Sequence, residues 1–463
     1  MKTIYIDCTY LYHHRELNTG IQRVVRRVIE NFEALAAQQE LRIQPVTIGH
    51  GEFTPIAIED LYPPVAAAEE APAAPEPTTR QRTLAYLKGV YRALRELVCA
   101  VLPYHKVRHF MFTPRENFGL NYLVDRGLIR PVKYLEGLAQ GKSAPQAAEA
   151  AESQDPFSAI KEDDILLLLD STWYSNIWPS VEEFRNRKGK VVAVIYDLIP
   201  ITHPQFCDAF LAEVFKNWFF DSLRYIDGYV AISQTVQHDL MNFMEKEFGS
   251  EEVKRKVYDY FLLGGDFNYR LEQSSGVRQP LKDSFGESST YLIVSTVEPR
   301  KNHEYLLDVF DQLWEQDTPV NLCIVGRIGW KVEALMDRIQ NHPQNNIRLY
   351  LWSDLSDEEL LYCYANAKML LFPSIVEGFG LPIVESLSNG LPVLASDTPI
   401  HREVGGEQVG YFDLEDPASL REMISQVEKS GIPDSLAVKS GYRWMDWRES
   451  SEMLLNKVTA IGA

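Results

Sequence analysis

Two carboxylates, Glu377 and Glu385, lie eight positions apart in the segment PSIVEGFGLPIVE, residues 373–385. The apolar run at residues 369–372 predicts a strand before this segment. Pro382 suits the first turn of a helix after it, because that position needs no N–H donor. We therefore expect Glu377 in a strand-to-helix loop and Glu385 about one turn inside the helix.

Carboxylates at the mouth of a parallel sheet can accept hydrogen bonds from hydroxyl-rich ligands such as ribose or a hexose. The loop around Glu377 also suits an anion. Gly378 and Gly380 let the backbone approach a ligand closely, and the N-terminus of the next helix presents free N–H groups. Phe379 and Leu381 complete this predicted binding element. In the alternative, both acids are ordinary charges of a loop and of a first helical turn.

A second cluster of charges, Glu-Pro-Arg-Lys-Asn at residues 298–302, follows a predicted strand and precedes a predicted helix. Arg300 and Lys301 thus lie in a strand-to-helix loop, where open α/β sheets bind ligands. Two adjacent cations in that position suit a diphosphate. The alternative is a solvated pair of charges before a helix.

Together the two clusters predict a site for a nucleotide-diphosphate sugar. Arg300 and Lys301 would hold the diphosphate, Glu385 the ribose and Glu377 the sugar hydroxyls. We also predict that Gly326, which ends another apolar run, contacts the nucleotide-sugar donor. The chain has no Asp-x-Asp triplet and no Cys/His cluster. We therefore expect cations, backbone N–H groups and a helix end to neutralise the leaving group, with no metal or other cofactor.

The elements that must position these residues are short apolar runs that alternate with helical patterns. Such alternation is typical of parallel sheets covered on both faces. The runs lie at residues 3–7, 41–48, 165–170, 191–196, 229–233, 291–296, 321–326, 347–352, 369–374 and 392–397. We predict an α/β fold of two doubly wound, Rossmann-like domains that face a cleft. The predicted parts are an N-terminal domain over 1–267, a linker over 268–290, a C-terminal nucleotide-sugar-binding domain over 291–440 and a terminal helix over 441–463.

Two positions in the N-terminal half are candidate site residues. Gly20 follows the first predicted strand and starts a helix, so backbone N–H groups there can face donor phosphates; the alternative is a tight turn. Asp197 follows the run 191–196 at the cleft edge, where it either orients an acceptor hydroxyl or caps the following turn. Ser233 is predicted to cap a helix.

The N-terminal domain is predicted to carry an insertion over residues 63–156. Its central part, residues 80–133, has 11 Lys or Arg and 3 Asp or Glu in a chain whose net charge is −19. Apolar residues at spacings of three and four predict an amphipathic helix there. Its basic face either contacts an anionic membrane or is the solvated side of a helical cap.

Composition narrows the class of protein. With 463 residues, 45% of them hydrophobic and 24% charged, the chain is not a wholly disordered or fibrous protein. Its negative charge argues against a general affinity for nucleic acid. No apolar run reaches the roughly 18 residues that cross a bilayer, and the N-terminus lacks a secretory apolar core. Five cysteines without a C-x-x-C pair argue against a metal cluster or disulfide framework. We expect a cytoplasmic protein, in which the basic insertion permits peripheral contact with the inner face of the cell membrane.

Four motifs of the C-terminal half together resemble a known family. They are the Glu-x7-Glu element of residues 377–385, the segment 298–302, NGLPVLASD at 389–397 and REVG at 402–405. In these motifs the chain resembles glycosyltransferase family 4, a family of retaining enzymes with the GT-B fold. The resemblance extends over residues 291–463. The run TGIQRVV at 19–25 is similar to bacterial members that build surface polysaccharides.

The resemblance implies metal-independent transfer of a hexose, with retention, from a nucleotide-diphosphate sugar to a glycan or lipid-linked saccharide. The product would be a bacterial surface polysaccharide such as O-antigen, capsule or exopolysaccharide, and mannose is one candidate sugar. In the family, the first Glu contacts the donor sugar, the second the ribose and the Arg-Lys pair the diphosphate. The terminal helix crosses back to the first domain. Many relatives carry His where this chain has Tyr196, so no histidine role is implied there.

Two other functions are compatible with the residues alone. An epimerase on the same scaffold would rearrange its nucleotide sugar without any acceptor. A non-catalytic scaffold would bind nucleotide in the cleft and hold a partner through the basic insertion. The intact set of Glu377, Arg300, Lys301 and Glu385 argues against the scaffold.

Overall fold

The computed structural model describes residues 1–16, 20–49, 51–62, 155, 157–265, 276–286 and 288–462. These residues form two sheets of mainly parallel strands, each covered by helices. Neighbouring residues of one strand enter different hydrophobic clusters: Ile4 and Ile6 pack on one side of the first sheet and Tyr5 on the other. Both faces are therefore buried, and the predicted α/β architecture is confirmed.

The first sheet has seven strands. They are β1 (Lys2–Asp7), β2 (Leu41–Gly49), β3 (Glu52–Pro55), β4 (Ile165–Leu168), β5 (Lys190–Ile195), β6 (Gly228–Ala231) and β7 (Val257–Tyr260). Their order in the sheet is β3-β2-β1-β4-β5-β6-β7, and each pairing is parallel except that of β2 with β3.

Helices connect these strands. They are α1 (Thr9–His13), α2 (Gly20–Gln38), α3 (Trp178–Asn186), α4 (Ile199–Thr202), α5 (Ala209–Ser222), α6 (Gln234–Phe248) and α7 (Ser250–Lys254). Helix α2 forms because apolar residues recur on one face, where Val24, Val28 and Phe32 are fully buried.

The second sheet has six parallel strands in the order β10-β9-β8-β11-β12-β13. They are β8 (Ser289–Val294), β9 (Val320–Val325), β10 (Leu349–Trp352), β11 (Met369–Phe372), β12 (Val393–Ser396) and β13 (Val409–Phe412). The helices of this half are α8 (Gln279–Asp283), α9 (His303–Glu315), α10 (Glu333–Gln340), α11 (Asp357–Asn366), α12 (Leu381–Ser388), α13 (Pro399–Gly405), α14 (Pro417–Ser430) and α15 (Trp447–Ile461).

Three strands were not predicted, namely β3, β7 and β13, and all three lie at sheet edges. For β3 and β7 the reason is that these edge strands are partly solvated and lack the continuous apolar run that marks a central strand. Only one residue of β3 is buried, and none of β7.

The segment predicted as a linker contains regular structure. Helix α8 lies within residues 268–290, and β8 begins at Ser289, before the predicted domain boundary at 291. Of the predicted insertion, residues 63–154 and 156 lie outside the described residues.

The last helix, α15, packs on the first sheet's side of the molecule, against α2 and near β4, β6 and β7. It begins in a capping box in which Asp446 accepts the N–H of Glu449 at 2.8 Å and Glu449 accepts that of Asp446 at 2.9 Å. Leu454, Leu455 and Val458 of α15 are fully buried. The chain thus ends on the first domain after completing the second.

We expect Leu454→Ala to lower the free energy of unfolding by about 2–5 kcal/mol, because it removes a fully buried side chain between α15 and the first domain. Urea denaturation followed by circular dichroism measures the loss. The control is Glu452→Ala, an exposed position of the same helix, for which a change below about 0.5 kcal/mol is expected. Equal effects of the two substitutions would contradict this packing.

Candidate functional site

The two predicted loops lie side by side because their strands are neighbours in the second sheet. β11 pairs with β8 in parallel, so the loops that follow them meet at the same edge. The loop after β11 ends at Gly380, whose φ of 103° lies in the left-handed region that favours glycine. Helix α12 then begins at Leu381 with Pro382 in its first turn. The predicted order of strand, loop and helix is confirmed.

The loop after β8 forms a 3-10 turn, Pro299–Lys301, before α9. Asn302 joins the turn to the helix with a φ of 58°, a conformation that asparagine tolerates. The backbone N–H of Ile375 donates to the carbonyl of Arg300 at 2.8 Å. The two loops are therefore linked through their backbones as well as through their side chains.

Glu377 is held by both cations of the neighbouring loop. Its Oε2 accepts a hydrogen bond from Nη1 of Arg300 at 2.6 Å, and its Oε1 pairs with Nζ of Lys301. The side chain of Glu377 is only 7% exposed. Burial alone would raise the pKa of Glu377, but the charges of Arg300 and Lys301 lower it to about 2. Glu377 is therefore ionised at neutral pH.

Glu298 is a fourth member of this cluster that sequence reasoning did not assign to the site. Its Oε1 lies 2.7 Å from Nη2 of Arg300, and its side chain is 3% exposed. Burial raises the pKa of Glu298, while Arg300 and Lys301 act in the opposite direction. The cluster thus contains two carboxylates, Glu298 and Glu377, and two cations, Arg300 and Lys301. The sequence signal that could have identified Glu298 is its position directly before Pro299 in a strand-to-helix loop.

Glu385 pairs with a different cation, from the first domain. Its Oε2 accepts the hydroxyl of Tyr364 at 3.0 Å, and its Oε1 pairs with Nη2 of Arg23 in α2. Arg23 lies 362 positions away in sequence, and Tyr364 belongs to α11. Neither partner was predicted, because no local pattern connects segments so far apart. The sequence showed Arg23 only as a polar residue in the first turn of α2.

Gly378 lies in direct contact with the first domain. A Cβ at this position would overlap the carbonyl oxygen of Tyr196 and press against Asp197. The hydroxyl of Ser233 donates to the carbonyl of Gly378 at 2.9 Å. The same hydroxyl accepts the N–H of Val236 at 3.1 Å, so the predicted helix cap is confirmed. Gly378 therefore lacks a side chain because the backbone of the first domain lies against it. The reason predicted from the sequence was a different one, namely the close approach of a ligand.

Asp197 is brought to the same cluster from the first domain. Its Oδ1 accepts the N–H of Ile199 at 2.9 Å, as the turn-capping alternative requires. Burial raises the pKa of Asp197, and the charge of Arg300 opposes that rise. Tyr196, which stands where many relatives carry His, is buried and donates its hydroxyl to the carbonyl of Leu169 at 2.7 Å.

The other predicted donor-binding residues differ in their surroundings. Gly326 has a φ of 149° at the end of β9, where a Cβ would overlap neighbouring backbone. Gly20 is the exposed first residue of α2, and a Cβ there would meet open space. Phe379 is buried and packs edge-to-face on Trp444, with ring centroids 6.1 Å apart. Leu381 is partly buried at the start of α12. Their roles in donor binding stay predictions.

Further hydrogen bonds hold the second domain against the first. Nε1 of Trp330 donates to the carbonyl of Phe206 at 2.8 Å, and Nζ of Lys331 donates to that of Cys207 at 2.6 Å. On the other side of the site, the carboxylate of Glu403 accepts the N–H and the hydroxyl of Thr235 at 2.8 and 2.6 Å. The cleft is therefore closed in this structure.

Within the described residues, His, Cys, Asp and Glu side chains nowhere gather in the threes that a metal ion would need. In the same part of the chain, none of the helices has both the length and the apolar character to cross a membrane.

Comparison with known proteins matches residues 281–444 to the family described as glycosyl transferases group 1. Over 312 residues, the chain is 28% identical to the serotype-specific mannosyltransferase WbdA of Escherichia coli, covering 65% of this chain and 38% of WbdA. Over 137 residues, it is 37% identical to O-antigen chain mannosyltransferase B of Escherichia coli, covering 29% and 35%. Over 251 residues, it is 24% identical to O-antigen chain mannosyltransferase RfbU of Salmonella typhimurium, covering 54% and 63%. The chain thus spans less than two thirds of the length of each of these relatives.

A solved structure shares the whole arrangement. The crystal structure of Anabaena Alr3699/HepE in complex with UDP and glucose matches with a TM-score of 0.50 and 10% identity, covering 100% of this chain and 97% of that one. At this identity the similarity concerns the fold alone. The predicted GT-B arrangement of two Rossmann-like domains is confirmed.

We expect Gly378→Ala to weaken domain closure, because the new methyl group would overlap the carbonyl of Tyr196. Overpacking of this kind costs about 1–3 kcal/mol. Small-angle scattering should give a larger radius of gyration than for the wild type, and thermal unfolding a lower melting temperature. Gly20→Ala is the control, since a methyl group there meets open space. Unchanged scattering and melting of the Gly378→Ala variant would contradict the closed contact.

Proposed function

We propose that this chain, whose residues 281–444 form a glycosyl transferases group 1 domain, moves a sugar from a nucleotide-diphosphate donor to a glycan or lipid-linked saccharide acceptor. The product is a bacterial surface polysaccharide. The relatives named as O-antigen mannosyltransferases support O-antigen synthesis and make mannose the first sugar to test.

The observation that carries this proposal is the cluster of Glu377, Arg300 and Lys301 at the carboxyl edge of the second sheet, whose side chains are at most 21% exposed. Guanidinium and ammonium groups have five and three N–H donors, so both cations can bind phosphate oxygens while they hold Glu377. Glu377 is ionised and fixed by two partners. It can therefore accept hydrogen bonds from sugar hydroxyls without a change of its own geometry.

The chemistry breaks the bond between the anomeric carbon and the distal phosphate oxygen, and forms a bond from that carbon to the acceptor oxygen. Negative charge develops on the departing diphosphate, where Arg300 and Lys301 stabilise it. The acceptor proton passes to a diphosphate oxygen. Attack from the face that the diphosphate leaves gives retention, as the resemblance to the retaining family implies. This scheme requires no metal, because the two cations supply the positive charge.

Asp197 is the residue of the first domain that supports an acceptor role. It lies beside Gly378 and close enough to Arg300 to feel its charge. An acceptor hydroxyl between Asp197 and the donor would be oriented by that carboxylate. The closed cleft excludes water, which would otherwise compete as an acceptor.

The proposed setting is the cytoplasm, at the inner face of the cell membrane, where lipid-linked acceptors are held. The net positive charge of residues 80–133 supports peripheral contact with anionic lipid.

We expect Glu377→Gln to lower the rate of sugar transfer by about 10²-fold or more, because the amide cannot pair with both cations or accept the same hydrogen bonds. The measurement is release of nucleoside diphosphate from GDP-mannose, UDP-glucose and UDP-N-acetylglucosamine, each with a bacterial lipid-linked saccharide extract. Glu407→Gln, an exposed position of the same domain, is the control. Turnover by the Glu377→Gln variant within about twofold of wild type would remove Glu377 from the mechanism.

We expect the full chain to bind vesicles that contain phosphatidylglycerol more tightly than vesicles of phosphatidylcholine. Lys88, Arg92 and Arg95 share one face of the amphipathic helix predicted within residues 80–133. Changing these three residues to Gln should weaken the binding, since each basic residue near such a surface contributes about 1 kcal/mol. Co-sedimentation measures it. The control changes Lys254, the last residue of α7, and Arg255, which follows it, to Gln; both are exposed cations of the first domain. Equal binding to both lipids would reduce residues 80–133 to a structural role.

A further inference from the structure

Arg23 is the side chain of the first domain that reaches an acid of the predicted donor site. It lies in the first turn of α2, three residues after Gly20, while the apolar residues of that helix pack on the first sheet. Its guanidinium extends to Glu385 of α12 in the second domain. The side chain of Arg23 is 25% exposed and that of Glu385 only 7%, so the pair is largely removed from water.

Glu385 is held from two directions. The hydroxyl of Tyr364, a buried residue of α11 in the same domain, donates to Oε2 at 3.0 Å. Arg23 donates to Oε1 from the opposite domain. The two partners bond to different oxygens, which fixes the plane of the carboxylate as well as its position. A single partner would leave the group free to rotate about its terminal bond.

The remaining acceptor capacity of Glu385 matches a ribose. A carboxylate offers about four lone-pair sites, and among the described residues two donors, Arg23 and Tyr364, reach its oxygens. About two sites therefore remain, one on each oxygen. The vicinal 2′- and 3′-hydroxyls of a ribose are a pair of donors that suits two acceptors on one carboxylate.

We infer that Arg23 is a positioning residue for ribose recognition: it orients Glu385 from the opposite domain, so that the nucleotide's ribose is fully recognised only when the cleft is closed. This inference rests on the proposed function, in which Glu385 binds the ribose of a nucleotide-diphosphate sugar. The inference adds that the contact between Glu385 and the ribose depends on Arg23, a residue outside the domain that binds the nucleotide sugar.

The coupling has a physical basis in the placement of the pair. In an open cleft Arg23 moves away with α2, and Glu385 keeps only the neutral hydroxyl of Tyr364. Hydrogen bonds that involve a charged partner are stronger than neutral ones. The carboxylate is therefore best ordered in the closed state, and a ribose bound to it favours that state in return, because coupling between two equilibria is reciprocal.

The test compares ribonucleotides with 2′-deoxyribonucleotides. Isothermal titration calorimetry with GDP, dGDP, UDP and dUDP identifies the base that the wild type prefers and the ratio of its two dissociation constants. We expect the wild type to bind the ribo form about tenfold more tightly than the deoxy form. In Arg23→Gln the ribo form should lose most of that advantage, so that the ratio falls to about two, while the affinity for the deoxy form changes little. Arg23→Lys, which keeps the charge, should restore part of the ratio.

Arg27→Gln is the matched control. Arg27 lies one turn further along α2 and forms an ion pair with Glu30 of the same helix. Its charge acts on Asp357 of α11, as that of Arg23 does, so this variant also controls for the loss of a cation that faces the second domain. This variant should keep the ratio of the wild type. Thermal unfolding of each variant without nucleotide verifies that the chain is folded, and a merely structural salt bridge would lower the melting temperature without changing the ratio.

Three outcomes separate the possibilities. A wild-type ratio in folded Arg23→Gln would overturn the role of Arg23 and leave the proposed function intact. Tighter ribonucleotide binding by Arg23→Gln would also overturn it, because Arg23 would then compete with the ribose for Glu385. Failure of the wild type to bind either ribonucleotide would instead count against the nucleotide-sugar site itself.

Discussion

A buried carboxylate must find a cation or several hydrogen-bond donors, and Glu377 and Glu385 satisfy that requirement with residues from distant segments. Arg300 and Lys301 hold Glu377 from the neighbouring loop of the same domain. Arg23 holds Glu385 from the other domain. The loop after β8 and helix α2 must each bring a cation to within hydrogen-bond distance of an acid in the loop or helix after β11. The positions of β8, β11 and α2 are thereby constrained together.

Closure of the cleft follows from this arrangement and from contacts around it. Gly378 lies against the backbone of Tyr196, and Ser233 donates to its carbonyl. Glu403 accepts hydrogen bonds at the N-terminus of α6, where free N–H groups favour an acid. These contacts join the two domains through residues other than Glu377, Arg300 and Lys301. A reaction that must keep water away from an activated sugar benefits from such a ring of interdomain bonds.

Much of the second domain was predictable, and less of the first. Continuous apolar runs predicted the central strands correctly. The glycines and the proline of residues 378–382 predicted the loop and the start of α12 correctly, because these signals are local. The edge strands β3 and β7 were missed because they carry little buried apolar surface. Arg23, Tyr364 and Glu298 were not assigned to the site, since their importance depends on which distant segments fold together. Residues 63–154 and 156 of the insertion lie outside the described part of the chain, and their membrane role stays a prediction.

The path of the chain at its C-terminal end limits how the two halves can move. The first connection leaves the first domain at residues 262–265, and the second returns at residues 444–450, where the N–H of Gly265 donates to the carbonyl of Met445 at 3.1 Å. Nε1 of Trp444 also donates to the carbonyl of Leu263 at 2.8 Å. Two covalent connections that run side by side act as a single pivot. Rotation about this pivot separates the cleft walls most at the far rim.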